Sequence, residues 1–317
     1  MGKSYRLASD FTLSQLSSGC SESNRSIAVF AHNEAKNIQQ ALESISVNAR
    51  DKSITIYVLV NGCSDSTADK VRESAAHIEN LWLLETDLAD KAGTWNLFIH
   101  EVLSDKTLLE VETCFFMDGD VALAPDTLSL LASALDENPS AEAAGAMPAT
   151  GRDRDAWRNR MVFNRMLAGN CYALRSSFIQ HIRESDVWMP VGLIGEDFFV
   201  SWLVASDVWR QSLSELDGTR CIFHQKAEFV FRSLSPWRLS DCRTYLRRKW
   251  RYTLRGIQHQ MLVLMLMCRG LEAMPRDVQE LYRKGPLPSR LVWRGLLDTT
   301  MHLVAVQWVR AQRGKSS

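Results

Sequence analysis

The chain has 317 residues, 46% of them hydrophobic, with 37 Lys+Arg against 37 Asp+Glu and hence a formal charge of zero. That length suits one large α/β domain with an appendage, or two small domains, and balanced charge removes any global field for nucleic acid, which is not an expected partner. Seven scattered cysteines, with no CxxC pair and no Cys/His cluster at zinc spacing, exclude a zinc module and read as reduced thiols of a cytoplasmic protein.

Residues 1–25 are polar and Ser-rich, without periodicity, and read as a flexible N-terminal extension or a loosely docked arm. They lack a long apolar run behind a basic start, so no signal peptide is expected. Order begins at Ser26–Phe30, a short apolar run typical of a buried strand. His32-Asn33-Glu34 follows as a loop, then Ile38, Ala41, Leu42 and Ile45 at helical spacing. The pattern repeats with a strand over Ile54–Val60, a turn-rich loop at Asn61–Asp65, and a helix carrying Ala68 and Val71. Leu81–Leu84 reads as a third strand, Trp95–Leu103 as helix, and Cys114–Met117 as a fourth strand running into Asp118-Gly119-Asp120. A helix over Leu128–Leu135 and a strand over Ala143–Met147 close the series.

Strands alternating with helices predict a mostly parallel sheet with helices on both faces, in which ligands bind at the carboxyl ends of the strands. After about residue 150 the alternation fades. Arg152–Arg165 reads as a charged loop or helix, Phe198–Val204 as a helix, and Cys221–Phe223 and Phe229–Phe231 as two short strands. From Pro236 the chain becomes helical and basic, with Arg243, Arg247, Arg248, Lys249, Arg251 and Arg255 interleaved with Tyr245, Trp250 and Tyr252, followed by helical stretches around 257–271 and 291–310. No stretch has the roughly 18–20 apolar residues of a membrane span.

Three groups of residues carry candidate chemistry. Asp118 and Asp120 flank Gly119 directly after a strand and read either as a solvated turn or as a metal site; held close, the carboxylates repel, and Mg²⁺ or Mn²⁺ would resolve that by taking oxygen ligands from them and from substrate phosphates. Gly119 lets a diphosphate approach the backbone. Glu196-Asp197 opens a helix and reads either as first-turn charge or as a general base for an acceptor hydroxyl. Asn33-Glu34, Asn61-Gly62, Lys91 and Asn96 sit at strand ends, where short polar groups suit a base and ribose and Lys91 suits a diphosphate.

These segments together resemble the inverting glycosyltransferase family 2, whose members adopt the GT-A fold. Ala31-His32-Asn33-Glu34 is similar to its Tyr-Asn-Glu-like segment. Val60-Asn61-Gly62-Cys63-Ser64-Asp65-Ser66-Thr67 matches its Asp/Asn-Gly-Ser-x-Asp-x-Thr segment, and Asp90-Lys91-Ala92-Gly93-Thr94-Trp95-Asn96 resembles its Gly-Lys-x-x-Ala-x-Asn segment, with Asp90 in place of the Gly. Phe116–Asp120 matches the DxD, and Gly195-Glu196-Asp197 the later Glu-Asp. The resemblance spans about residues 26–235 and implies a catalytic domain there, with a nucleotide-binding half over 26–120, an acceptor-binding half over 121–235, and a helical C-terminal extension over 236–317. It implies that Ala31, Asn33, Glu34, Asn61, Gly62, Asp65, Lys91, Asn96, Asp118 and Gly119 line the donor site. Asp118 and Asp120 would hold Mn²⁺ or Mg²⁺, with His224 as a further ligand if it is not an ordinary strand-end polar group. Asp197, beside Glu196, would be the base in one in-line displacement with inversion.

The implied donor is a nucleoside-diphosphate sugar, UDP by family custom, with GDP left open by Asn61 in place of the usual Asp. The resemblance implies an acceptor that is a glycan, a lipid-linked or a small molecule, in glycan or polysaccharide biosynthesis. The Gln-x-x-Arg-Trp segment of processive members is absent, with Arg247-Arg248-Lys249-Trp250 a distant echo. The basic–aromatic C-terminal third reads as a solvated helix face or as a peripheral contact with an anionic membrane, supported by Trp293, Trp308, Arg310, Arg313 and Lys315. A sugar nucleotidyltransferase would need a basic Gly-rich loop where Ala31–Glu34 stands. A non-catalytic scaffold would predict loss of a carboxylate site, and all four carboxylates are present.

Overall fold

The computed structural model describes residues 10–19, 23–49, 54–210, 218–232, 239–288 and 295–314. The central strand β2 (Arg25–Ala31) is buried along its whole length, because alternate side chains enter two cores. Ala28 and Phe30 point to one face of the sheet, and Ile27, Val29 and Ala31 to the other. β3 (Thr55–Asn61) and β5 (Thr113–Asp118) flank β2 in parallel, and β4 (Leu81–Thr86) continues the parallel run beyond β3.

The connecting helices follow the expected pattern. α1 (Ile38–Asn48) buries Ile38, Ala41, Leu42 and Ile45. α2 (Thr67–Ser74) buries Val71. α3 (Lys91–Leu97) begins ahead of the helix expected from Trp95, because the Asp90 carboxylate accepts from the Gly93 N–H at 2.6 Å and caps it. Phe98–Val102 follows as a π-helical turn, and α4 (Asp105–Glu110) is capped by Ser104.

Beyond β5 the sheet becomes mixed. β6 (Val121–Leu123), α5 (Thr127–Glu137), β7 (Ala143–Pro148) and α6 (Arg154–Asn164) precede β8 (Cys171–Arg175) and α7 (Ser176–Glu184). α8 (Glu196–Ala205) and β9 (Cys221–Phe231) come next. β8 runs antiparallel to β5, and with β1 (Phe11–Gln15) at one edge the full order is β1-β4-β3-β2-β5-β8-β7-β9-β6.

Several expectations are corrected. Within the supposed flexible arm, Phe11–Gln15 forms β1, an edge strand antiparallel to β4; its ladder is made by backbone groups, so its polar, exposed side chains carry no period-2 burial signal. Strand–helix alternation does not fade at 150 but returns as β8 and α7. The two short strands near 221 and 229 are one strand, β9, divided by a register shift between its pairings with Gly145 and Met147.

The C-terminal helices are α9 (Leu239–Arg269), α10 (Val278–Lys284) and α11 (Leu296–Arg313). The expected boundary near 236 and Trp293 lie outside the described residues. Ile257, Met261 and Leu262 of α9, and Ala305 and Val309 of α11, are buried in the same core as Ala28 and Phe30. These helices thus complete one face of the sheet.

Candidate active site

β2, β3 and β5 end side by side at Ala31, Asn61 and Asp118. The first two loops are tied by short side chains. Asn33, in the left-handed region at φ 58°, accepts on Oδ1 from the Ser64 N–H (2.8 Å) and the Asp65 N–H (3.3 Å). The Asp65 carboxylate accepts from the N–H groups of Ala35 (3.1 Å) and Thr67 (3.0 Å), and the Glu34 N–H donates to Thr67 Oγ1 (2.8 Å). Burial alone would raise the Asp65 carboxyl, but the hydrogen bonds from Thr67 and Ala35 outweigh it and hold it low. Gly62, at φ 57°, has no room for a side chain, since a Cβ would lie 2.6 Å from Ala89 Cα. Asn61 is only 4% exposed, and its Oδ1 has no hydrogen-bond partner among the described residues.

The next shell is charged. Capped at Asp90, α3 sends Lys91 across the strand ends, where its ammonium bonds Asp118 Oδ1 and lies 2.5 Å from Glu196 Oε1. Residues 27 and 105 positions apart from Lys91 in the chain therefore share one cation. Burial raises the Asp118 carboxyl; Lys91 opposes this, while Asp120 and Glu196 add negative potential. Burial would depress the Lys91 ammonium, yet Asp118 and Glu196 overcome it and keep the group protonated. The Glu34 carboxyl is raised by burial, against the Asn37 amide that donates to it at 2.6 Å, with Asp120 contributing in the same direction as burial. Asp120 makes no hydrogen bond or ion pair with any described residue.

α8 begins at Gly195, in the left-handed region at φ 85°, and places Glu196 and Asp197 in its first turn, where the helix dipole favours them. Both are buried. Asp197 Oδ1 accepts from Arg255 Nη2 of α9 and from the Phe198 N–H, each at 2.9 Å, and Oδ2 accepts from the Gly169 N–H at 3.1 Å. The 167–170 loop joins both acidic clusters: Leu167 N–H donates to Ser201 Oγ of α8, and the Asn170 carbonyl accepts from the Asp118 N–H. Lys91 thus pairs with Asp118 and Glu196 and Arg255 with Asp197, while Asp120 adds negative potential at Asp118 without a cationic partner among the described residues.

The glycosyl transferase family 2 model matches residues 26–194, more than half of the chain and the whole parallel half of the sheet. The chain belongs to glycosyl transferase family 2. A mannosyltransferase from Pyrobaculum calidifontis, solved in complex with GDP-Man and Mn²⁺, superposes with a TM-score of 0.55 at 18% identity, covering 93% of this chain and 76% of that one. TarS residues 1–349 from S. aureus superpose with a TM-score of 0.51 at 13% identity, covering 92% and 88%. At these identities the likeness establishes the GT-A-like fold. No curated protein sequence matches the chain.

Within this family 2 transferase, Asn96 and His224 are engaged elsewhere, and Gly119, at the strand end, has a packing role of its own. Asn96 is fully buried, and its amide is committed to the backbone N–H and carbonyl of Met189, each at 2.9 Å; it braces the 187–194 segment rather than facing a donor. The helical turn after Lys91 carries it inward. Gly119 is needed for contact with the protein's own backbone, since a Cβ would meet the Phe30 carbonyl at 3.0 Å. His224 lies in the bulged stretch of β9, where its Nδ1 accepts from the Lys226 N–H at 3.3 Å. No set of three His, Cys, Asp or Glu that could hold a metal forms among the described residues, so His224 is not gathered with Asp118 and Asp120. Two site residues carried no sequence signal. Gly169 sits where a Cβ would come within 2.9 Å of Glu196 Oε1 and 3.1 Å of Lys91 Nζ, and Arg255 was one cation among many in a basic run.

Proposed function

We propose that this transferase moves a sugar from a nucleoside-diphosphate donor to an acceptor hydroxyl in a single displacement that inverts the anomeric carbon. The observation that carries the reading is Lys91, which draws Asp118 and Glu196 from distant parts of the chain to one point beneath the strand ends. Asn33, Glu34, Asn61 and Gly62 frame the nucleoside, and the open Oδ1 of Asn61 offers a buried acceptor to a base N–H. Asp118 and Asp120 would hold Mn²⁺ or Mg²⁺, with remaining ligands from the diphosphate, and that cation would supply charge stabilisation to the leaving group. Lys91 neutralises the carboxylates and lies ready for diphosphate oxygens. Asp197 accepts the acceptor's proton as its oxygen attacks. The bound GDP-Man and Mn²⁺ of the structurally similar mannosyltransferase support the choice of donor and metal as first probes.

A thermal-shift panel of UDP, GDP and their sugars with Mn²⁺ or Mg²⁺ tests donor binding, because a ligand that binds only the folded state raises Tm. No shift with any member would remove the donor assignment. For catalysis, Asp197→Asn should keep nucleotide binding and lower transfer by about 10²–10⁴-fold. Full transfer by that variant would exclude Asp197 as the base.

A peripheral membrane contact forms the finer part of the reading. No described helix is long and apolar enough to cross a membrane. α11 instead exposes Leu296, Leu297, Leu303, Val304 and Trp308 along one stripe, and Lys249–Asp298 (2.6 Å) places its start beside α9, where Arg243, Arg247, Arg248 and Arg251 are exposed. Apolar residues beside cations suit anionic lipid headgroups. The expected outcome is co-sedimentation with anionic but not neutral vesicles; equal recovery with both would refute it. The acceptor that best fits such a surface is lipid-linked, in glycan or polysaccharide assembly.

A further inference from the structure

We infer that Arg255 is a positioning residue for the Asp197 carboxylate, so that α9, outside the segment matched by the family model, supplies part of the transfer site. The placement stands on geometry; its consequence for transfer rests on the function proposed above.

A carboxylate has about four acceptor positions. In Asp197, Oδ1 takes donors from Arg255 Nη2 and the Phe198 N–H, and Oδ2 takes one from the Gly169 N–H. One position remains, on Oδ2, for a substrate hydroxyl. Of the three donors, the two backbone groups belong to segments that pack independently of the carboxylate: Phe198 lies within α8, and the 167–170 loop is held by Ser201. Arg255 is the only side chain among the described residues bonded to the carboxylate. Without it, Oδ1 keeps a single donor, and the group is free to turn and exchange its oxygens.

α9 is fitted to this task. Arg255, Gln258 and His259 lie at i, i+3 and i+4, one face of the helix, and all three address residues 194–198. Gln258 Oε1 accepts from the Ile194 N–H at 2.9 Å, while its amide donates to Tyr282 Oη at 2.7 Å. The His259 ring stacks on Phe198 with centroids 4.0 Å apart and planes at 10°. Gln258 and His259 hold the backbone and the neighbouring ring; Arg255 alone reaches the carboxylate. Its guanidinium lies directly against Gly195, where a Cβ would overlap Nε, so the turn is shaped to admit it. A lysine would restore charge but not the planar fork.

The test uses the full chain with Arg255→Met, Arg255→Lys, Asp197→Asn and the Arg255→Met/Asp197→Asn double variant. Amide exchange at Gly169 reports on the carboxylate, and release of nucleoside diphosphate from UDP-glucose and GDP-mannose with Mn²⁺, water being the acceptor, reports on chemistry. Gly169 should exchange about 10-fold faster in Arg255→Met and at an intermediate rate in Arg255→Lys. The kcat should fall about 10-fold or more with donor KM changed less than about threefold, and the double variant should be no slower than Asp197→Asn alone. Wild-type exchange at Gly169 in Arg255→Met would overturn the placement, as would rate losses that multiply in the double variant. If Arg255→Met does not fold, Arg255→Lys carries the same two readouts. Should the wild type release nothing from either donor, the nucleotide thermal-shift panel still decides the proposed function, and Gly169 exchange alone decides the role of Arg255.

Discussion

The loops after β2 and β3 and the charged chain from Lys91 to Arg255 build adjoining parts of one site by opposite means. The first is local: Asn33, Asp65 and Thr67 bond backbone groups within two adjacent loops, with Asn33 and Asp65 exposed to water and Thr67 buried between the loops. The second is long-range and ionic: α3, β5, α8 and α9 each contribute one or two partly buried charges, paired across the site by Lys91 and Arg255. Exposed loop networks tolerate loss of a member because water replaces it. Desolvated charges do not, because a lone carboxylate in low dielectric has no substitute partner.

Removing Lys91 should sharpen that contrast most. Lys91→Met leaves Asp118 and Glu196 facing each other and is expected to cost about 3 kcal/mol in denaturant unfolding, with Mn²⁺ raising the Tm of the variant more than that of the wild type. A loss below about 1 kcal/mol would show that the charged chain behaves like the exposed loops.

A smaller effect comes from His259, whose imidazole is pushed down to about 3, first by burial and then by Arg255. Its folded-state pKa is below the unfolded value near 6.5, so between these values the unfolded chain binds the extra proton. Stability conferred by neutral His259 is therefore complete above about pH 6.5 and declines as pH falls; from pH 7 to pH 5 this residue should account for about 2 kcal/mol. His259→Phe, which keeps a ring against Phe198, should flatten the profile by that amount, and an unchanged slope would contradict the assignment.

The smallest change is expected from Asn33→Ala, which removes the side-chain hydrogen bonds of Asn33 to Ser64, Asp65 and His32 and leaves a left-handed residue without its local support, at about 1–2 kcal/mol. Urea unfolding of this variant beside Lys91→Met makes the comparison directly; equal losses would erase the distinction between the two regions.

Legibility followed the same division. The parallel half of the sheet was readable because strands buried on both faces leave continuous apolar runs, as in Ser26–Phe30 and Ile54–Val60, and because α1 keeps a helical period. β1 was not, since an edge strand is held by backbone pairing and leaves its exposed side chains unconstrained. β9 read as two strands because its bulge interrupts the pattern. Asn96 misled because α3 begins at Lys91 and turns the sixth residue of the helix into the core.

The amino-acid sequence by itself determined the family, the strand–helix order of the first half and the residue types of the acidic clusters, because motifs at strand ends and periodic burial are local properties of a chain. Only the tertiary structure decided that Asp118, Glu196 and Lys91 meet, that Gly169 sits between them, and that Arg255 reaches Asp197. Those meetings depend on how separate elements pack, and charge pairing across 58 residues of chain, as between Asp197 and Arg255, leaves no periodic trace in the order of the residues.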